Sequence, residues 1–307
     1  MLTDNSVESL TPPQSRLHLP KDLVDIYRAI TKNRLALVGL IIMLLIILAA
    51  IFAEQLAPHD PVKQNLRNTL LPPAWMAGGS PEYLLGTDDF GRDILSRLLY
   101  GARVSIPTAG VAALFALIIG VNIGLFAGYF GGMVDTLLTG LVDIFLAFPL
   151  ILIALSLAAI LGPSMRNLML VMALTGWMAY ARVIRSAVLT IKDQEYVIAS
   201  IALGANPARV LFRHILPNVI APTLVLVAFS FSTFIILESA LSFLGLGIPP
   251  PAPTWGRMLY EGRDYLTVSP WLITFPGIII MLTVLSANFI GDGLRDALDP
   301  KLRGLTN

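Results

Sequence analysis

Residues 104–133 contain no charged side chain, and this limits what the chain can fold into. A helix of about 20 apolar residues spans the roughly 30 Å core of a bilayer, whereas a soluble helix of that length needs a polar face. Comparable runs recur at 35–53, 137–161 (interrupted only by Asp143), 168–181, 219–237 and 269–290. The expected fold class is all-α integral membrane, with about six transmembrane helices. Hydrophobic residues make up 56% of the chain and charged residues 13%, which is about half the charge fraction of soluble domains.

Six crossings put both termini on one side, and the basic residues choose the side. With the N-terminus inside, the inner segments hold Arg16, Lys21, Arg28, Lys32 and Arg34, then Arg182, Arg185, Lys192, Arg209 and Arg213, then Arg295, Lys301 and Arg303. The outer segments hold Lys63, Arg67, Arg92, Arg97, Arg103, Arg166, Arg257 and Arg263. The excess favours cytoplasmic N- and C-termini. The first 34 residues are polar and lack an apolar core, so a cleavable signal peptide is not expected. The chain divides into a cytoplasmic segment (1–34), a first helix with a long periplasmic loop (35–103), a five-helix core (104–291) containing a cytoplasmic segment at 182–217, and a cytoplasmic tail (292–307).

Several functions are excluded or disfavoured. A net charge of +1 without a basic block gives no footprint for nucleic acid. Cysteine is absent, and His18, His59 and His214 are too scattered to suggest a metal site. No phosphate-binding G-x-x-x-x-G-K-[ST] loop, H-E-x-x-H metal helix or G-x-S-x-G nucleophile turn occurs. No catalytic residue, cofactor or metal is therefore assigned to this chain, and any ATP chemistry must come from another.

Three features stand out. Gly120, Gly124, Gly128 and Gly132 recur every four residues, leaving one helix face without side chains, against which another helix of this chain or of a second subunit can pack. Segment 182–217 is too rich in helix formers for a linker. Ala199, Ser200, Gly204 and Ala205 give it a small-residue surface, and Pro207 marks the start of a second short helix. It suits either docking of a soluble partner or an interfacial helix without one. Asp135, Asp143 and Glu238 are carboxylates in or near apolar spans; Asp143 and Glu238 stand as pathway or structural residues.

Segment 182–217 resembles the cytoplasmic signature loop of ABC importer permeases, whose pattern is Glu-Ala-Ala, three residues, Gly, nine residues, Ile, one residue, Leu-Pro. Leu216 and Pro217 place the glycine at Gly204 and the paired alanines at Ala199 and Ser200; Ile198 stands at the Glu position and His214 at the Ile position. The dipeptide/oligopeptide branch is further resembled by Leu-Gly-Thr-Asp-Asp-Phe-Gly-Arg-Asp at 85–93, Leu-Ser-Arg-Leu-Leu-Tyr-Gly-Ala-Arg at 95–103, Leu-Ser-Phe-Leu-Gly-Leu-Gly at 241–247, Trp255-Gly256 and the run 291–300. The resemblance covers about 33–301 and is to the C-type permease of a dipeptide system.

That resemblance implies a type I ABC importer permease of the bacterial inner membrane, with Ala199, Ser200, Gly204, Ala205, Leu216 and Pro217 in the ATPase coupling loop. It also implies a homologous B-type permease subunit, two cytoplasmic ATPase subunits that bind ATP and Mg, and a periplasmic or lipid-anchored substrate-binding protein, all working in membrane lipid. Nickel, glutathione or an oligosaccharide are alternative cargoes for the same machine. A secondary transporter would need matched broken helices, for which Pro276 is one candidate break.

Overall fold

The computed structural model describes residues 33–298, and the expectations for 1–32 and 299–307 lie outside them. Among the described residues the chain is helical apart from turns, a π-helical segment and one isolated bridge between Thr87 and Asp93. In order, the helices are α1 (Arg34–Ile51), α2 (Ala53–Leu56), α3 (Ile94–Phe130), α4 (Gly132–Leu146), α5 (Leu150–Leu161), α6 (Met165–Ile191), α7 (Glu195–Ala202), α8 (Pro207–Arg209), α9 (Leu216–Phe243), α10 (Trp255–Gly262) and α11 (Trp271–Leu298). Helices α1, α3, α6, α9 and α11 are each long and apolar enough to cross a membrane.

Residues 137–161 read as one span, and the structure breaks that span in the middle. Helices α4 and α5 meet at an 86° bend. The cause is Pro149, which brings no N–H to the ladder and disfavours helical backbone at the residue before it. The Ala147 amide closes α4 on the Asp143 carbonyl, and α5 restarts after Pro149. The bent pair still returns across the membrane. Gly120 faces Trp177, Gly124 faces Ala181 and Gly128 faces Val188, so α3 and α6 run parallel, and the chain between them must travel back the full distance. Six crossings result, one of them broken.

Other boundaries move for local reasons. The second span begins at Ile94 rather than 104, because Asp93 accepts the Ser96 amide at 2.8 Å and caps the helix ten residues early. Residues 94–102, read as loop, are therefore helix. Helix α6 starts on a Ser164 cap and continues well past Ala181. Pro276 lies within an unbroken α11.

The first and last helices pack antiparallel. A Cβ on Gly39 would lie 2.8 Å from Phe289 Cβ, and Asn33 donates to Asp296 at 3.1 Å. Asn33 and Asp296 therefore end on one face of the protein, the same face that carries α7. The opposite face carries segment 57–93 and α10. Helix α1 turns most of its other residues outward, including Leu35, Leu44, Leu45 and Ile51. In a membrane those side chains meet lipid.

Candidate functional site: the coupling segment, the glycine seam and the polar clusters

Segment 191–219 folds as a capped helical hairpin. Helix α7 ends at Gly204, whose φ of +83° is costly for residues bearing a Cβ. Two hydrogen bonds define the stop: Ala205 N–H to Ser200 C=O at 3.1 Å and Gly204 N–H to Ile201 C=O at 2.9 Å, a Schellman closure. No atom lies within 4 Å of where a Gly204 Cβ would point, so conformation alone demands the glycine. Asn206 then caps α8 by accepting the Arg209 amide at 2.8 Å, and Pro207 takes the first helical position. The chain continues as a π-helical segment, Val210–Ile215, directly into α9.

This hairpin has two faces. Ile198, Ile201 and Leu203 are exposed, Leu203 at 89%, and Ala199 is exposed beside them. On the other face Val197, Val210, Leu211 and Ile215 are buried with Leu125 of α3 and Ile184 and Val188 of α6. The hairpin is thus joined through packed side chains to two crossing helices. Ser200 and His214, which occupy the alanine and isoleucine positions of the loop pattern, lie 3.2 Å apart (Oγ to Nε2) and tie the two arms together. The sequence pattern gave each residue a place but not this contact. Leu216 and Pro217 open α9 and are half-buried.

The glycine row packs within this chain. A Cβ on Gly120 would sit 2.4 Å from the Trp177 carbonyl oxygen, one on Gly124 2.7 Å from that of Ala181, and one on Gly128 2.7 Å from Val188 Cβ. Gly132 does not belong with them. The helix stops at Gly131, Gly131 and Gly132 have φ of +63° and +52°, and nothing approaches Gly132 within 4 Å. It turns the chain into α4 rather than seating a neighbour.

The intramembrane carboxylates divide. Glu238 is fully buried and accepts hydrogen bonds from Ser242 at 2.9 Å, Ser239 at 3.4 Å and Ser105 at 3.5 Å. Ser105 in turn accepts the Trp255 amide, so Glu238 joins α3, α9 and α10. Asp135 makes a two-pronged pair with Arg185, at 2.5 and 2.6 Å. Asp143 meets Arg182 through one contact of 3.1 Å, and both side chains are exposed.

A further cluster on the opposite face went unrecognised in the sequence. Arg97 bridges Asp88 at 3.0 Å and Glu261 at 2.7 Å; Arg92 bridges the same two at 2.6 and 2.9 Å, and Arg257 donates to Glu261 at 2.9 Å. Burial pushes the Glu261 carboxyl up, but the guanidiniums of Arg97 and Arg92 outweigh it and hold the group below its ordinary value. The loop that supplies Asp88 is built tightly: Asp88 accepts the Phe90 and Arg92 amides, and Gly91, at φ +70°, lies against the Asn65 carbonyl. The cluster fastens segment 57–93 and the start of α3 to α10.

A bundle of parallel and antiparallel crossings, one broken, with an exposed capped hairpin on one face is the architecture of a multi-pass membrane protein, and comparison with known proteins gives its family. Residues 120–304 match the family model described as binding-protein-dependent transport system inner membrane component, and 23–73 match that of the N-terminal TM domain of oligopeptide transport permease C. The chain belongs to the family of binding-protein-dependent transport system inner membrane components, and is a multi-pass inner-membrane protein. It is 45% identical over 302 residues to the dipeptide transport system permease protein DppC of Escherichia coli strain K12, covering 98% of this chain and 99% of that one. It is 43% identical to the di/tripeptide transport system permease protein DppC of Pseudomonas aeruginosa, covering 97% and 99%. In three dimensions it resembles a chain of the inward-facing MetNI methionine ABC transporter with a TM-score of 0.52, at 19% identity, covering 69% of this chain and 97% of that chain. That likeness concerns the fold.

Proposed function

We propose that this chain is a non-catalytic permease subunit of an ATP-driven importer and forms part of the path by which dipeptides or short oligopeptides enter the cell. The observation that carries the cargo class is the end-to-end match to permeases named for dipeptide and di/tripeptide transport. Orientation follows from the basic residues, with α7 and both termini cytoplasmic. The hairpin 195–215 offers its exposed side to one of two ATPase subunits, which bind ATP and Mg. A homologous permease completes the path, and an extracytoplasmic binding protein delivers peptide on the side of segment 57–93. ATPase closure then acts through Val197, Val210, Leu211 and Ile215 on α3 and α6, giving access alternately from each side.

Purification of the tagged chain from membranes, followed by reconstitution, tests this reading. Copurification of a second permease and two ATPases, with ATP-dependent dipeptide uptake that requires the binding protein, supports it. Uptake by the chain alone, or by the full complex for nickel but not peptide, refutes it.

A further inference from the structure

Two Asp–Arg pairs join α4 to α6, and they differ in kind. Asp135 and Arg185 use both carboxylate oxygens and two guanidinium nitrogens on each other, which leaves little for a ligand. Asp143 and Arg182 share one 3.1 Å contact, through Oδ1 and Nη2. The other carboxylate oxygen and most of the guanidinium fork remain open, on side chains 69% and 62% exposed. Asp143, Arg182 and Arg185 line a cavity of about 250 Å³ between α3, α4 and α6, whose wall also includes Gly124, Ala181 and Thr139. Charges this open in apolar spans face the interior of a bundle or a water-filled cavity rather than hydrocarbon. Asp143 is also three residues from the end of α4, beside the bend to α5, so its position relative to α6 changes if that bend opens.

We propose that Arg182 and Asp143 form a peptide-terminus site at this cavity: the guanidinium takes the α-carboxylate of a passing peptide through its fork, and the carboxylate takes the α-ammonium. The assignment rests on the import reading above. A zwitterion suits the pair because each charge it brings replaces the one displaced, and a single exposed ion pair is cheap to open. A transit site must also release its cargo, which favours two exposed contacts over a buried clamp.

The chain has no cysteine, so a single Thr139→Cys placed in the cavity reports on it directly. In the intact solubilised complex, without binding protein, maleimide labelling of this cysteine should slow severalfold in free alanyl-phenylalanine at about 10 mM, a concentration suited to a site of only millimolar affinity. The C-terminal amide and the N-acetyl form of the same dipeptide should protect less. Arg182→Gln should abolish the preference for the free carboxylate while leaving the preference for the free amine, and Asp143→Asn should do the reverse. Arg182→Lys, which keeps the charge and loses the fork, should fall between. Equal protection by free and blocked peptides, no protection by any, or protection that follows the fraction of anionic lipid instead of the peptide overturns the site. Uptake of the same dipeptide by the wild-type complex in proteoliposomes is measured alongside. Uptake without terminus-dependent protection defeats the site alone, and absence of uptake defeats the import reading and the site with it.

Discussion

The contact between α3 and α6 depends on glycine at Gly120 and Gly124, and replacing each with alanine measures how much. A new Cβ would meet a carbonyl oxygen at 2.4 Å (Gly120) or 2.7 Å (Gly124), whereas ordinary contacts begin near 3.4 Å. Because the obstacle is backbone, the helices must part by about 1 Å, and gaps of 0.5–1 Å forfeit roughly a quarter to a half of each dispersion contact along the seam. Overpacking of this kind costs about 1–3 kcal/mol. Alanine also stabilises a helix by about 1 kcal/mol relative to glycine, which masks part of the loss. Gly110 supplies the correction: it lies in the same helix, and no atom stands within 4 Å of its Cβ position. Gly110→Ala should therefore raise the melting temperature of the purified complex, and Gly124→Ala should lie below it by the full packing cost. At about 2–4 °C per kcal/mol the separation is some 2–12 °C. Gly120→Ala should fall at least as far. If the three variants melt together, α3 and α6 are not held at the distance the structure gives.

Gly204→Val should leave the spans inserted yet lower transport and binding-protein-stimulated ATPase activity together, since a β-branched residue at φ +83° opens the hairpin by about 1–2 kcal/mol or more; Gly204→Asn should retain much of both, and equal activity of Val and wild type would refute the reasoning. Glu261→Gln leaves Arg97 and Arg92 with Asp88 as their shared carboxylate, one negative charge for two buried guanidiniums, and should cost about 1–3 kcal/mol in thermal stability, against under about 0.5 kcal/mol for the exposed Asp264→Asn. Because Glu261 titrates lower folded than unfolded, its contribution is present above the ordinary value of 4.5 and is lost as pH falls through the depressed value, so a stability profile below that point should steepen in wild type and not in Glu261→Gln. A cysteine at Asn206 should label from the cytoplasm and one at Trp75 from outside, tested with impermeant reagent on intact cells.

What the sequence revealed follows from range. Uninterrupted apolarity is a local property, so the crossings were legible from composition, and the turn at Gly204 and Pro207 from residue type. The bend at Pro149 was also locally signalled, but the apolar run through 137–161 concealed it, because a bilayer accepts proline wherever neighbours satisfy the backbone. The helical start at Asp93 lies among charged residues, Arg97 and Arg103 included, which an apolarity criterion places outside the span. Arg97 is neutralised by Glu261, 164 positions later, and no periodicity connects such residues. The row of glycines had the right spacing for a seam, yet only the neighbouring helix distinguishes Gly128, pressed on Val188, from Gly132, which turns the chain. The open Asp143–Arg182 pair likewise required α4 and α6 to be placed side by side.

The charge cluster of Asp88, Arg92, Arg97, Arg257 and Glu261 has a mechanical corollary. Basic and acidic side chains interlock in a largely buried cluster, so sliding any one piece outward would expose an uncompensated ion. Segment 57–93, the head of α3 and α10 consequently travel as a keystone, shifting whole or staying still. The opposite half has fewer such ties: the Asp143–Arg182 pair is open, the hairpin stands proud and the return crossing is broken at Pro149, so movement costs less there. The protein thus resembles tongs, with a welded end and a working end, and variants that loosen the weld should be sought for leakiness rather than for altered cargo.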